Sequence, residues 1–115
     1  VFFLTLMKDQ SLFIEFLGDT PIIRVLDFLL TEKGLDFSLT DLAERSGIGR
    51  TTLYRIWNHL LKHKVVVPTR VIGKSKLYTL YTKNPTIQKL IELDDFLILQ
   101  DLRKRAGKTK AFVTS

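Results

Sequence analysis

The apolar positions keep a helical period to about His63, switch to a strand period up to Tyr81, and return to a helical one beyond Asn84. Leu12, Phe13, Phe16 and Leu17 share one face of a short helix expected over Asp9 to Leu17, with Gly18 able to take a left-handed stop. Thr20-Pro21 opens a second helix, Thr20 as its cap and Pro21 at the first helical position. Its stripe is Ile22, Val25, Leu26 and Leu29; Ile23, Phe28 and Leu30 widen it, which predicts burial on more than one side. Lys33-Gly34 ends it, and Leu35 to Leu39 is a connector with room for a short extended piece. Thr40 is the expected cap of a third helix reaching about Ser46, with Asp41 at its positive end. Gly47-Ile48-Gly49 is a turn. A fourth helix follows from about Arg50 to His63, with Leu53, Ile56, Trp57 and Leu60 at core spacing. Val65 to Val71 is rich in β-branched residues and reads as a strand, which Pro68 confines to an edge or an irregular ladder position. Ile72-Gly73-Lys74-Ser75 is a tight turn, and the alternating run Lys76 to Tyr81 closes a hairpin. Asn84-Pro85 starts a last helix that can reach Arg105, and Ala106 to Ser115, without a clear period, is an expected frayed tail.

Helix, three-residue turn, helix, hairpin is the order of a winged helix-turn-helix, and the residues inside it have physical reasons. Ala43 is small enough for two helices to cross closely. Gly47 stands where the chain turns sharply and positive φ costs little. Leu42, Ile48, Leu53 and Ile56 close a small core between the helices. The expected fold is mostly α with a small β-hairpin: a winged helix-turn-helix with extra N- and C-terminal helices. Residues 1–105 make one domain, with its winged-helix core at 18–84 and terminal helices at 9–17 and 85–105.

The spacing Leu42-Ala43, Gly47-Ile48, Leu53, Ile56 resembles the helix-turn-helix pattern position by position. Residues 9 to 105, most strongly Ser38 to Tyr81, resemble the compact winged-helix transcriptional regulators common in archaea, and their layout is similar to the MarR and ArsR types. That resemblance implies a protein that binds duplex DNA as a dimer, with the second motif helix in the major groove. The chain departs from the ArsR metal sensors in lacking their cysteine metal box, and no ligand-pocket motif points to an effector.

Composition narrows the choice further. A chain of 115 residues is one domain by length and can bury one real core. It has no cysteine, which excludes disulfides, thiolate metal sites and cysteine nucleophiles and fits a reducing, cytoplasmic setting. No run of apolar residues is long enough to span a bilayer, and the apolar opening Val1 to Met7 lacks the basic start and cleavage pattern of a signal peptide. Charge is informative through its distribution. The net charge is +6, yet from Arg45 to Ile91 there are ten basic residues and not one acid. A one-signed segment of that length creates a field that attracts polyanions.

With the apolar stripe of the Arg50–His63 helix turned inward, Arg50, Thr51, Thr52, Tyr54, Arg55 and Asn58 are left for base edges and phosphates. Lys62, at the helix end, is expected away from DNA. Arg70, Lys74, Ser75 and Lys76 form a basic wing suited to the backbone or the minor groove, and Thr40 at a helix start can hold a phosphate. His59 and His63 have metal-clamping spacing but no further ligands, so no metal or cofactor is expected. Trp57 falls on the core face rather than on a stacking platform for bases. No nucleophile-base arrangement, carboxylate pair or phosphate-cradling loop argues for an enzyme. The last helix carries more apolar residues than a monomer needs, so a homodimer interface is expected from Leu12, Phe13, Phe16, Leu90, Leu93, Phe96 and Leu97. Two other readings stay open: a winged-helix module that binds protein within a larger assembly, and a winged helix that binds RNA.

Overall fold

The structure, a computed structural model, describes residues 11–114, with side chains described as far as Gly107. The expected helix start at Asp9 and the apolar opening segment lie outside the described residues. The elements are α1 (Leu12–Leu17), α2 (Pro21–Thr31), β1 (Asp36–Phe37), α3 (Leu39–Ser46), α4 (Arg50–Lys62), β2 (Val66–Ile72), β3 (Ser75–Leu80) and α5 (Pro85–Thr114).

Side-chain caps fix the helix starts. The Ser11 hydroxyl accepts the Ile14 N–H at 3.1 Å, and the Thr20 hydroxyl accepts the Ile23 N–H at 3.3 Å ahead of Pro21. At α3 the expectation is corrected: Ser38, not Thr40, is the cap, its hydroxyl accepting the Asp41 N–H at 3.1 Å. Both residues can cap. The extended backbone of β1 ends at Phe37, which puts Ser38 at the half-in position and draws Thr40 into the first turn. Gly18 has φ 102 and ψ 149, so α1 stops on a positive-φ glycine that is not left-handed helical. The last helix continues to Thr114 where a frayed tail was expected from Ala106. The stretch after Arg105 holds no proline to break the helix.

The sheet holds three strands in the order β1-β3-β2, all antiparallel. The hairpin was expected and β1 adds to it, pairing Asp36 with Thr79 and Phe37 with Tyr78. β2 is an edge strand, and its register slips between Pro68 and Arg70, where proline has no N–H to give the ladder.

One core joins these parts. Phe13, Val25, Leu29, Leu30, Leu42, Leu53, Leu60, Val66 and Ile87 are almost fully shielded from solvent, drawn from every helix and from β2. Burying each side chain of this size contributes about 1.5–3 kcal/mol. Phe13, expected at a dimer interface, is 0% exposed and belongs to this core. Leu90 and Leu93 are likewise half-buried against it. Of the expected stripe on α1, the domain itself covers Phe13 and half-buries Leu12, while Phe16 and Leu17 stay exposed.

Candidate nucleic-acid interface

The turn between α3 and α4 is built around Gly47, whose backbone is left-handed at φ 73, ψ 32. The Gly47 and Ile48 N–H groups return to carbonyls at the end of α3, Ile48 to Ala43 at 3.0 Å. Arg24 of α2 braces the same turn. Its guanidinium is held by Asp19 at 2.6 and 2.9 Å and donates to the Gly47 carbonyl at 3.3 Å. Ala43 is buried where the helices cross, as its size requires. Arg45, on α3, lies over the Phe28 and Phe37 rings at 4.8 and 5.6 Å, which holds its charge beside the motif.

α4 buries Leu53, Trp57 and Leu60 and presents the opposite face to solvent. Arg50, Thr51, Tyr54, Arg55 and Asn58 are exposed on it, while Thr52 is half-buried. Arg50 donates to the Tyr54 hydroxyl at 3.0 Å one turn on, so the two side chains stand together at the start of the helix. Lys62 is exposed at the far end, and the His59 and His63 rings lie 4.5 Å apart between centres, tilted by 57°. Among the described residues no group of three or more potential ligands could hold a metal. Thr40 is exposed on the first turn of α3.

The wing is fixed to α4 by an edge-on contact between the Trp57 and Tyr78 rings, 4.9 Å apart. Its root is strapped across the sheet. Asp36 on β1 accepts two bonds from the Arg70 guanidinium, at 2.9 and 3.2 Å, and one from the Thr69 hydroxyl at 2.6 Å. These donors hold the Asp36 carboxyl below its ordinary pKa, Arg70 contributing most. Arg70, expected on DNA, gives two of its five N–H groups to Asp36 and keeps its side chain 62% exposed. Lys74, Ser75 and Lys76 are exposed at the tip, beyond the strap. The Arg24 brace and the Asp36–Arg70 strap were not foreseen: each joins residues more than twenty apart, and no local pattern marks either. Of the residues expected to meet nucleic acid, the structure brings Arg50, Thr51, Tyr54, Arg55 and Asn58 together on α4. Lys74, Ser75 and Lys76 form a second group on the wing.

A helix-turn-helix followed by a strapped β-hairpin defines the class: this is a mostly α winged helix-turn-helix fold. Residues 28–60, from the second half of α2 through α4, match the family described as the helix-turn-helix domain of resolvase. No curated protein matches the sequence. Among solved structures, the chain is similar to a mutant of Lactococcus lactis ZitR in apo form, at 16% identity and a TM-score of 0.57, over 93% of this chain and 76% of that one. It is similar to NadR in complex with 4-hydroxyphenylacetate at 19% identity and a TM-score of 0.55, over 79% of this chain and 64% of NadR. The AntR antimony-specific transcriptional repressor follows at 20% identity and a TM-score of 0.53, over 73% of this chain and 72% of that one. The likeness to these proteins is one of fold. Among the described residues no helix is long and apolar enough to cross a membrane.

Proposed function

We propose that this protein is a sequence-specific duplex DNA-binding transcriptional regulator that works as a homodimer, by binding and not by catalysis. One observation carries the reading. The exposed face of α4 and the wing tip belong to a segment, Arg45 to Ile91, with ten basic residues and no acid. Arg50, Thr51, Tyr54, Arg55 and Asn58 read the major groove, and Lys74, Ser75 and Lys76 meet phosphates or the minor groove beside it. Thr40, exposed at the start of α3, meets a flanking phosphate in this reading. Residues 1–105 act as one unit in this scheme, with α1 and α5 supplying the dimer contacts, and a cytoplasmic location goes with it.

Neutralising phosphates releases counterions, so binding must weaken steeply with salt. A gel-shift on random duplex DNA at rising salt tests the proposal, with duplex RNA as competitor. Retention of duplex DNA at low salt, lost as salt rises and resistant to RNA, is the expected result. Binding that ignores salt, or that RNA abolishes, overturns it.

A further inference from the structure

The wing tip carries two large apolar side chains that the fold does not use. Val71 is 64% exposed and Ile72 54%, at the end of β2 just before the Gly73-Lys74 turn. They face opposite sides of the hairpin. Val71 stands across from Lys76, and Ile72 across from Ser75. On β3, Lys76 and Tyr78 are two apart and so share a face. Tyr78 rests against Trp57 of α4, and the Lys76 ammonium stands 6.0 Å from the Tyr78 ring centre. Val71 therefore extends the side of the wing that looks toward α4, and Ile72 lies on its reverse. Lys74 and Lys76 flank the pair, and below them Arg70 is held back by Asp36.

We infer that this tip is an apolar wedge for the minor groove of DNA, with Val71 and Ile72 levering the groove open while Lys74 and Lys76 hold the phosphates on its rims. The inference rests on the DNA-binding reading above and adds how the DNA is deformed. Charge complementarity selects the occupant. An apolar partner surface would strand two flanking ammonium groups, whereas a minor groove offers sugar C–H surface on its walls and phosphates at its edges. A second copy adding a strand to β2 meets an edge already broken by Pro68 and the register slip beside it. The minor groove of ordinary B-form DNA is about 6 Å wide. A hairpin with branched side chains on both faces is wider than that, so entry must widen the groove and bend the duplex. Apolar side chains inserted from the minor groove side act in this way. The cost falls on the DNA and is lowest at flexible steps such as TA and CA/TG, giving a sequence preference at positions no side chain hydrogen-bonds.

The test uses the full chain and a duplex selected from a random pool, carrying donor and acceptor dyes at its two ends. Wild-type protein should shorten the end-to-end distance. The double variant Val71→Ser, Ile72→Ser alters only exposed positions, so its circular dichroism should match wild type. It should bind about tenfold more weakly. Its salt dependence should be unchanged, and the duplex should return to its free length. A variant that bends the duplex as wild type does overturns the wedge and leaves DNA binding standing. So does a variant whose only defect is a lower mass in sedimentation, since the pair would then serve a second copy. Failure of the wild type to retain duplex DNA at low salt overturns the DNA-binding reading and the wedge with it.

Discussion

Gly47 and Arg50 show how much rests on single positions. At Gly47 the left-handed backbone excludes most residues, and an added Cβ would meet the Arg24 guanidinium at 3.0 Å. Gly47→Ala should cost about 1–2 kcal/mol of folding stability, read from denaturant midpoints. Sequence alone marked this glycine because a sharp turn between two apolar stripes needs positive φ. It could not show that Arg24 braces the turn, since that contact depends on α2 crossing behind it. Arg50 is a different case. Its bond to Tyr54 keeps the guanidinium at the start of α4, where base edges would lie. Arg50→Ala and Arg55→Ala should each cost about 1–3 kcal/mol in affinity for a selected site and relax preference at one or two base pairs. Unchanged site selection by both folded variants would show that α4 is not docked in the groove.

The wing and the junction of α2 with α5 hold the titratable groups that matter at the scale of elements. Asp36 is stabilised as a carboxylate by Arg70 and Thr69, so its folded pKa lies below the unfolded one. The strap is therefore intact at neutral pH and is lost as pH falls through that lowered value. Arg70→Ala should speed amide exchange along β2 and β3, while leaving the salt slope of DNA binding nearer wild type than Lys74→Ala or Lys76→Ala. Each of those lysine changes should lower the slope by about one unit. Asp27 and Asp94 behave in the opposite sense. Burial raises both, and their mutual repulsion and that of Asp95 raise Asp94 further, against the pull of Lys33. Their contribution is present below the ordinary carboxylate range and is lost as pH rises through the raised values. Asp94→Asn should thus raise the melting temperature at neutral pH and change little in acid. The hairpin and its irregular edge were legible in the sequence, because Pro68 and the β-branched run act locally. β1 falls in the short extended piece expected between Leu35 and Leu39, but its partner was not legible, since Tyr78 and Thr79 are some forty positions away.

At the scale of the molecule, periodicity revealed that the terminal helices are apolar but not what covers each face. Phe13, Leu90 and Leu93 turned out to serve the domain's own core, and Leu97 lines a groove between α5 and α1 with Leu12 and Phe16. What remains is a stripe farther along α5. Phe96, Ile98, Leu99 and Leu102 are 44–56% exposed and linked by steps of three and four, so they form one continuous surface. Phe16, 66% exposed on α1, lies on the other side of α5, at the groove with Leu97. A stripe of this kind on a helix of 30 residues suits packing against its own copy about a two-fold axis. Such a dimer would set two α4 helices about 34 Å apart, or a multiple of that, and the preferred site would be an approximate inverted repeat. Leu99→Glu tests this better than a charge at Leu97, which would also disturb the contact with α1. In the monomer the new carboxylate stays in water, so folding should be unaffected. In the dimer it would be buried unpaired, and sedimentation should show a single chain where wild type shows two. Affinity for the inverted repeat should then fall toward that for a half-site, since each chain loses the effective concentration its partner supplied. Wild-type protein that sediments as one chain at micromolar concentration, or a Leu99→Glu variant that remains a dimer, would remove this stripe from the interface.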